Sequence, residues 1–383
     1  MQDALTIRSC SPIALTLFAM GPFQDKPFHL DFTNKTGESC NFYLLISPNG
    51  FGKTTLLEAM AALMTLLDHT NSPEPPHARL WSNPEARAQL DLRLVVNMNG
   101  EVREVLLTLA AGKGNPHKTR SWPGNELQRV QTTEHMHIAW SRNLSGRWRM
   151  VRSQDPLVDE LLGLVKQEMR NVYEIFGPDS ITAPSLLYFD AYRDIPTVTD
   201  DAQAISRPPE WFYRPLHHFG LHSDELQWQH SLDNLLVWLT WLNDDRFEET
   251  QTMLNKLVFS GTGKTLKSIN RQRMTARIAV GGRYHRLDQL SNGEKSIVQL
   301  LLRIHLHLTS HSFVLIDELD AHLHLKLQHR LYQALKCFTA DNPGVTLIIT
   351  THSRELIEQY GIDMKVGEAK LRMGGHLIEP KEI

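Results

Sequence analysis

Apolar positions along the chain fall into two kinds of run. From residue 13 to 46 they alternate with polar ones, broken by turn signals at Gly21-Pro22 and around NKTGES (34–39), and end in FYLLI (42–46). That pattern predicts strands. A glycine-rich loop follows, then LLEAMAALMTLL, whose spacing predicts a helix to about Leu67. The run HTNSPEPPHAR, between Asp68 and Arg79, carries three prolines and reads as a surface linker. LDLRLVVNMNGEVREVLLTLA then alternates with period two on both sides of Asn99-Gly100, the signal of a type I′ hairpin. HMHIAWSRNLSGRWRMVR predicts a second hairpin. The pattern turns helical from Asp155 to Ile175 and again from Leu226 to Leu257, where Trp238 and Trp241 sit three apart in a leucine-rich run and are expected in the core.

Three segments near the C-terminus come in a fixed order. LSNGEKS (290–296) opens a helix, with Ser291 as N-cap and Glu294 in capping-box position. FVLIDELD (313–320) is an apolar strand ending in carboxylates, and VTLIITTHS (345–353) is another ending at a histidine.

The loop between FYLLI and the first helix is SPNGFGKTT, Ser47 to Thr55. It is one residue short of the phosphate-loop pattern G-x-x-x-x-G-K-[ST], since Ser47 stands at the first glycine. That position lies furthest from the phosphates, and a small residue there leaves Asn49, Gly50, Gly52, Lys53, Thr54 and Thr55 in place. Gly50 and Gly52 let backbone amides point inward at phosphates, and the following helix adds its positive end. Lys53 is placed to neutralise β/γ charge. Thr54 can offer a hydroxyl to Mg2+, and Asp317, at the end of a buried strand, can hold the same ion. Glu318 is then free to polarise an attacking water, and His352 to orient the γ-phosphate. A second near-match, SGTGKT (260–265), has Val258 at its first glycine position and no helical pattern after it, so it is read as a decoy.

These segments together resemble the ABC-type ATPase superfamily, in its soluble branch of SMC-type, RecF-like and OLD-like proteins. The resemblance covers residues 13–67 and 286–360. It implies that SPNGFGKTT is Walker A, LSNGE the signature, IDE the Walker B strand with its catalytic glutamate, and His352 the H-loop histidine. It further implies an α/β fold: an ABC-ATPase head with a mostly parallel core sheet, an antiparallel β subdomain and an inserted helical region. Residues 1–67 would form an N-terminal lobe, 68–285 the inserted region and 286–383 a C-terminal lobe. ATP and Mg2+ are the implied cofactors. A homodimer is the implied assembly, in which Ser291, Gly293 and Glu294 of one chain meet the ATP held by the other. IDELDAHLHLKLQ is similar to the IDEPExHLHPxxQ form of OLD-like and Septu-type anti-phage ATPases, with Leu319 replacing the proline and Asp320 a glutamate. LLYFDAYRDIP (186–196) is similar to a Tyr-x-x-x-Arg stretch of this branch, and Arg193 receives no role from it.

Composition adds little to the core reading and more to the question of partners. A chain of 383 residues with 41% hydrophobic content can hold two or three compact units. PIALTLFAM is far shorter than the ~20 residues of a spanning helix and lacks signal-peptide flanks, so no membrane association is expected. Cys10, Cys40 and Cys337 match neither a disulfide framework nor a metal motif, which points to a reducing cytoplasm. The histidines cluster at 217–218, 305 with 307, and 322 with 324, without the partner spacing of a zinc site.

Net charge is −3 but uneven. Residues 79–152 carry twelve Lys/Arg and six Asp/Glu, and residues 261–286 carry seven Lys/Arg and no acid, with Tyr284 interleaved. DNA across dimerised heads would meet such segments; edge strands also use Lys and Arg to discourage pairing. Two functions follow. One is an ATP-hydrolysing dimer that clamps DNA or licenses an effector, in phage defence or repair. The other is an ATP-dependent switch that holds a partner protein and turns over slowly, without DNA. The stretch after His352 is shorter than the ~50 residues an independent domain needs, so a nuclease would be an effector protein encoded nearby.

Overall fold

The computed structural model describes residues 5–68, 74–114, 134–170, 181–193, 204–220, 228–368 and 370–382. The expected linker at 69–73, the end of the helical pattern at 171–175 and the start of the next at 226–227 lie outside them. So do Lys118, Arg120, Glu126 and Arg129 of the first basic segment.

The chain opens with β1 (Thr6–Phe18), β2 (Phe28–Asp31) and β3 (Phe42–Ile46), then α1 (Lys53–Met64). β4 (Arg87–Met98) and β5 (Glu101–Lys113) form the expected hairpin, with Met98 opposite Glu101 and positive φ at Asn99 and Gly100. β6 (Glu134–Arg142) and β7 (Trp148–Arg152) form the second. α2 (Pro156–Glu168), β8 (Ser185–Phe189) and β9 (Leu216–Phe219) follow, and then α3 (Leu232–Leu242) and α4 (Arg246–Leu254). Three short basic strands come next: β10 (Lys264–Leu266), β11 (Ile278–Val280) and β12 (Arg283–His285). The last part alternates: α5 (Asn292–His307), β13 (Ser312–Ile316), α6 (Leu325–Asp341), β14 (Val345–Thr350), α7 (Arg354–Val366) and β15 (Met373–Leu377).

One six-stranded sheet runs β15-β3-β14-β13-β8-β9 with every neighbouring pair parallel. Its inner strands FYLLI, SFVLI and VTLIIT are buried almost throughout, as a sheet covered on both faces demands. A second sheet, β2-β1-β4-β5-β6-β7, is antiparallel except between β5 and β6. α1 contacts β1, β4 and β5 of this sheet and β8 and β9 of the other. A helix held between two sheets has no solvent face, which is why its last nine residues are leucine, alanine and methionine but for Glu58. The fold is thus α/β, with a parallel core sheet and an antiparallel part, as expected. The basic strands make a separate three-stranded antiparallel sheet.

Two local expectations change. Trp238 is buried, but Trp241 is 56% exposed and stacks on Trp238 with ring centroids 4.8 Å apart. It lies one residue from the end of α3, which Asn243 closes in the left-handed region, so the core stripe has run out there. The histidines of two separate clusters meet, His217 stacking on His307 at 5.0 Å, both buried.

Candidate functional site

Parallel strands all present their C-terminal ends on one side, so the segments after β3, β13, β14 and β8 converge there. The loop after β3 enters α1 through Gly52 at φ 91, and Gly50 has φ 83. Both lie in the left-handed region that favours glycine. A Cβ on Gly52 would also sit 2.6 Å from the Phe23 ring and 2.8 Å from Pro22. Here the Gly21-Pro22 turn packs beneath the loop, and Thr55 packs against Gly21, where a Cβ would meet its hydroxyl at 2.8 Å. Asn49 and Gly50 are exposed at the rim.

Lys53 is buried, and its Nζ donates to the Ser47 carbonyl at 2.9 Å, with Ser47 Oγ at 3.3 Å and the Pro48 carbonyl at 3.4 Å. Ser47 therefore helps to seat the ammonium under the loop. Burial lowers the Lys53 pKa, and the carboxylates of Asp317, Glu318 and Asp320 oppose that shift. Thr54 Oγ1 donates to Asp317 Oδ2 at 2.6 Å, joining the loop to the end of β13. Asp317 is 3% exposed, and its other oxygen accepts from Thr350 Oγ1 at 2.7 Å.

Glu318 follows with φ 48, an uncommon conformation for a residue with a side chain. Its N–H donates to Thr350 Oγ1 at 2.7 Å, and its carboxylate lies 3.7 Å from His352 Nε2. The His352 backbone N–H donates to Asp320 Oδ1 at 3.1 Å, and Thr351 donates to the same oxygen. Asp320, in the position where the resemblance expects glutamate, thus anchors the histidine loop. Leu319, in the place of the proline, is fully buried and donates its N–H to the Thr350 carbonyl at 2.8 Å.

The signature segment stands apart from these groups. Ser291 caps α5 and shares a capping box with Glu294, as expected. Lys264 Nζ, from β10, donates to both Glu294 oxygens at 2.8 and 2.7 Å. Gly293 is buried against the segment that follows β13, where a Cβ would meet the His322 carbonyl and Leu327 at 3.2 Å. Ser291 and Asn292 face solvent.

Sequence reasoning left four contributors without a role, two of them, Arg193 and Asp320, named only by resemblance. Thr350 bridges Asp317 and Glu318, Asp190 Oδ1 accepts from His218 Nε2 at 2.9 Å, and Arg193 and Asp320 bond the strand ends. Each is an ordinary polar residue at a strand terminus, and only the pairing of β8 with β13 and of β13 with β14 brings them together. Beside Thr54, Asp317 and Glu318 opens a cleft of about 630 Å³ whose walls include Glu58, Asp190 and Tyr188.

Residues 203–358 match the profile of the family described as "AAA domain, putative AbiEii toxin, Type IV TA system". The DNA double-strand break repair Rad50 ATPase of Methanopyrus kandleri is 34% identical over 99 residues, and the match spans 24% of this chain and 11% of the Rad50 chain. An ATP-binding subunit of an ABC transporter superposes over 90% of this chain and 82% of its own, with 13% identity and a TM-score of 0.33. A dimeric ATP-binding cassette in a post-hydrolysis state, bound to ADP and Pi, superposes over 92% and 89%, with 10% identity and a TM-score of 0.30.

Proposed function

We propose that this chain, which carries an ABC-type, SMC-like AAA ATPase domain, binds ATP with magnesium at the Walker loop and hydrolyses it in a closed homodimer. The observation that carries the reading is the 2.6 Å hydrogen bond between Thr54 and Asp317. It places a hydroxyl and a carboxylate at the mouth of a glycine cradle, the donor set a phosphate-linked magnesium takes. Thr54 and Asp317 would hold the ion, which neutralises phosphate charge when bound.

The chain's own groups then divide the work. Loop amides and Lys53 hold the phosphates. Glu318, one residue past Asp317, orients the attacking water, and His352, 3.7 Å from it, holds that carboxylate and meets the γ-phosphate. Ser291, exposed at the tip of α5, reaches the nucleotide of a second copy, which makes two identical composite sites about a two-fold axis.

The reading extends to DNA as the coupled partner through the basic sheet. Lys267, Arg271 and Arg273 are exposed in the connection between β10 and β11, Arg283 is exposed on β12, and Lys264 of β10 is ion-paired to the signature's Glu294. The first basic segment supports this less. Its Arg79, Arg93, Arg103, Lys113 and Arg152 are paired with Glu58, Glu104, Glu101, Glu85 and Asp159. A role in anti-phage defence or DNA repair follows from that coupling. Phosphate release from Mg-ATP by the purified chain tests the core of the proposal. No release and no ATP binding by titration would end it.

A further inference from the structure

Arg193 sits just past the end of β8, 3% exposed, and uses its guanidinium against four acceptors. Nε donates to Ser296 Oγ at 3.0 Å. Nη1 donates to the carbonyls of Asp190 at 2.8 Å and Asp317 at 2.7 Å, and Nη2 to the carbonyl of Glu318 at 2.8 Å. Three of these are the backbone carbonyls just beyond the last ladder residues of β8 and β13, Phe189 and Ile316. The side chain therefore stitches two neighbouring strands where the sheet stops. Burying a cation is costly unless its donors are satisfied, and a simple filler would be an apolar side chain. Burial pushes the Arg193 pKa down to about 10, against the charges of Asp317, Asp320, Glu318 and Asp190.

Glu318 supplies the reason for such a residue. A non-glycine residue at φ 48 persists only where its surroundings hold it. Thr350 Oγ1 takes its N–H at 2.7 Å and Arg193 its carbonyl at 2.8 Å, so the peptide units on both sides are pinned. The fourth bond leads elsewhere. Ser296 is on α5, whose N-cap is the exposed Ser291. One guanidinium thus touches the signature helix and the backbone of the glutamate.

We infer that Arg193 is a positioning residue that fixes the Glu318 backbone and ties it to α5, so that contact of the signature with a second chain's nucleotide is felt at the glutamate. This rests on the reading of Glu318 and Ser291 given above.

Hydrogen exchange on the nucleotide-free chain tests the first half without any turnover. In Arg193→Met the Glu318 and Leu319 amides should exchange at least about tenfold faster, with α1 unchanged. Arg193→Lys, which keeps the charge and fewer donors, should fall between. Unchanged exchange at Glu318 overturns the inference, whatever the chain does with ATP. In turnover, Arg193→Met should lower kcat about tenfold or more with KM for ATP within about threefold, since the loop is untouched; a change in KM alone contradicts it. Ser296→Ala removes a single hydroxyl and tests the tie to α5. Mg-ATP should slow Glu318 exchange in the wild type and fail to do so in Ser296→Ala at equal ATP affinity. Equal slowing in both overturns the tie. Wild-type turnover in Glu318→Gln would remove the catalytic reading while leaving the exchange result on Arg193 to stand or fall alone.

Discussion

Thr54 Oγ1 and Asp317 Oδ2 are hydrogen-bonded at 2.6 Å across 263 residues of chain. The pairing of β3 with β14 and of β14 with β13 makes this possible, because it sets the ends of FYLLI and SFVLI two strands apart. Both groups can offer an oxygen to a hard cation, and their bond sets those two oxygens 2.6 Å apart. Replacing Asp317 with Asn should leave the fold intact and raise the magnesium concentration needed for half-maximal ATP hydrolysis by about tenfold or more. A magnesium titration of phosphate release checks this.

Lys53 has carbonyl partners within its own loop, so its removal should not collapse α1. Lys53→Ala is expected to weaken ATP binding by about ten- to a hundredfold, the worth of a charge-assisted contact. Fluorescent-nucleotide titration of variant and wild type measures it.

How much of this was legible beforehand differs by element. The four motifs were, because each joins a glycine, cap, carboxylate or histidine to an apolar run of defined period. The capping box of Ser291 and Glu294 needs only three residues of spacing to be seen. The roles of Arg193 and Thr350 were not, because they depend on which strands lie side by side, and adjacency in a parallel sheet follows no sequence spacing. The ion pair of Lys264 with Glu294 was hidden for a related reason, since the basic segment reads from sequence only as net charge.

The composite site predicts complementation. Lys53→Ala and Ser291→Arg should each be inactive as homodimers, because both of their sites carry a lesion. In a freely exchanging mixture about half the dimers are mixed, and one site of each is intact, so roughly a quarter of wild-type activity should return if sites act independently. Placing both lesions in one chain and mixing it with wild type separates the alternatives: coupled composite sites give dominant inhibition, and a site built within one chain gives simple dilution.

The basic sheet predicts a salt-dependent DNA contact. Changing Lys267, Arg271 and Arg273 to Glu should weaken DNA binding and flatten its dependence on salt, because fewer counterions are released. ATP affinity should hold. Arg277 is spared because it bonds Ser268 and lies over Tyr284. Turnover raised by DNA in the wild type would support DNA as the coupled partner, whereas turnover raised only by a protein partner would favour the slower protein-binding switch.

Buried histidines set an acid limit on stability. Burial lowers His307 from 6.5 to about 4, with Glu210 opposing and Arg303 assisting. Burial lowers His77 to about 4 as well, helped by the charges of His218 and Arg79. Between about 4 and 6.5 the unfolded chain binds protons that the folded one refuses, so stability falls as pH drops through that window. Asp233, raised by burial to about 6, works in the opposite sense between 3.8 and about 6. Going from about pH 7 to about pH 5, each histidine should cost about 2 kcal/mol and Asp233 return about 1. Urea unfolding at the two pH values measures the net loss, and His307→Phe should reduce it.

The claim that the Walker B strand end drives ATP hydrolysis is tested most directly by Glu318→Gln. The account predicts ATP affinity within about twofold of wild type and hydrolysis lower by about a hundredfold or more, in line with the loss of a general base. It also predicts a dimer that persists in Mg-ATP, seen by light scattering as a doubling of mass over the nucleotide-free variant. Hydrolysis by Glu318→Gln at the wild-type rate would contradict it.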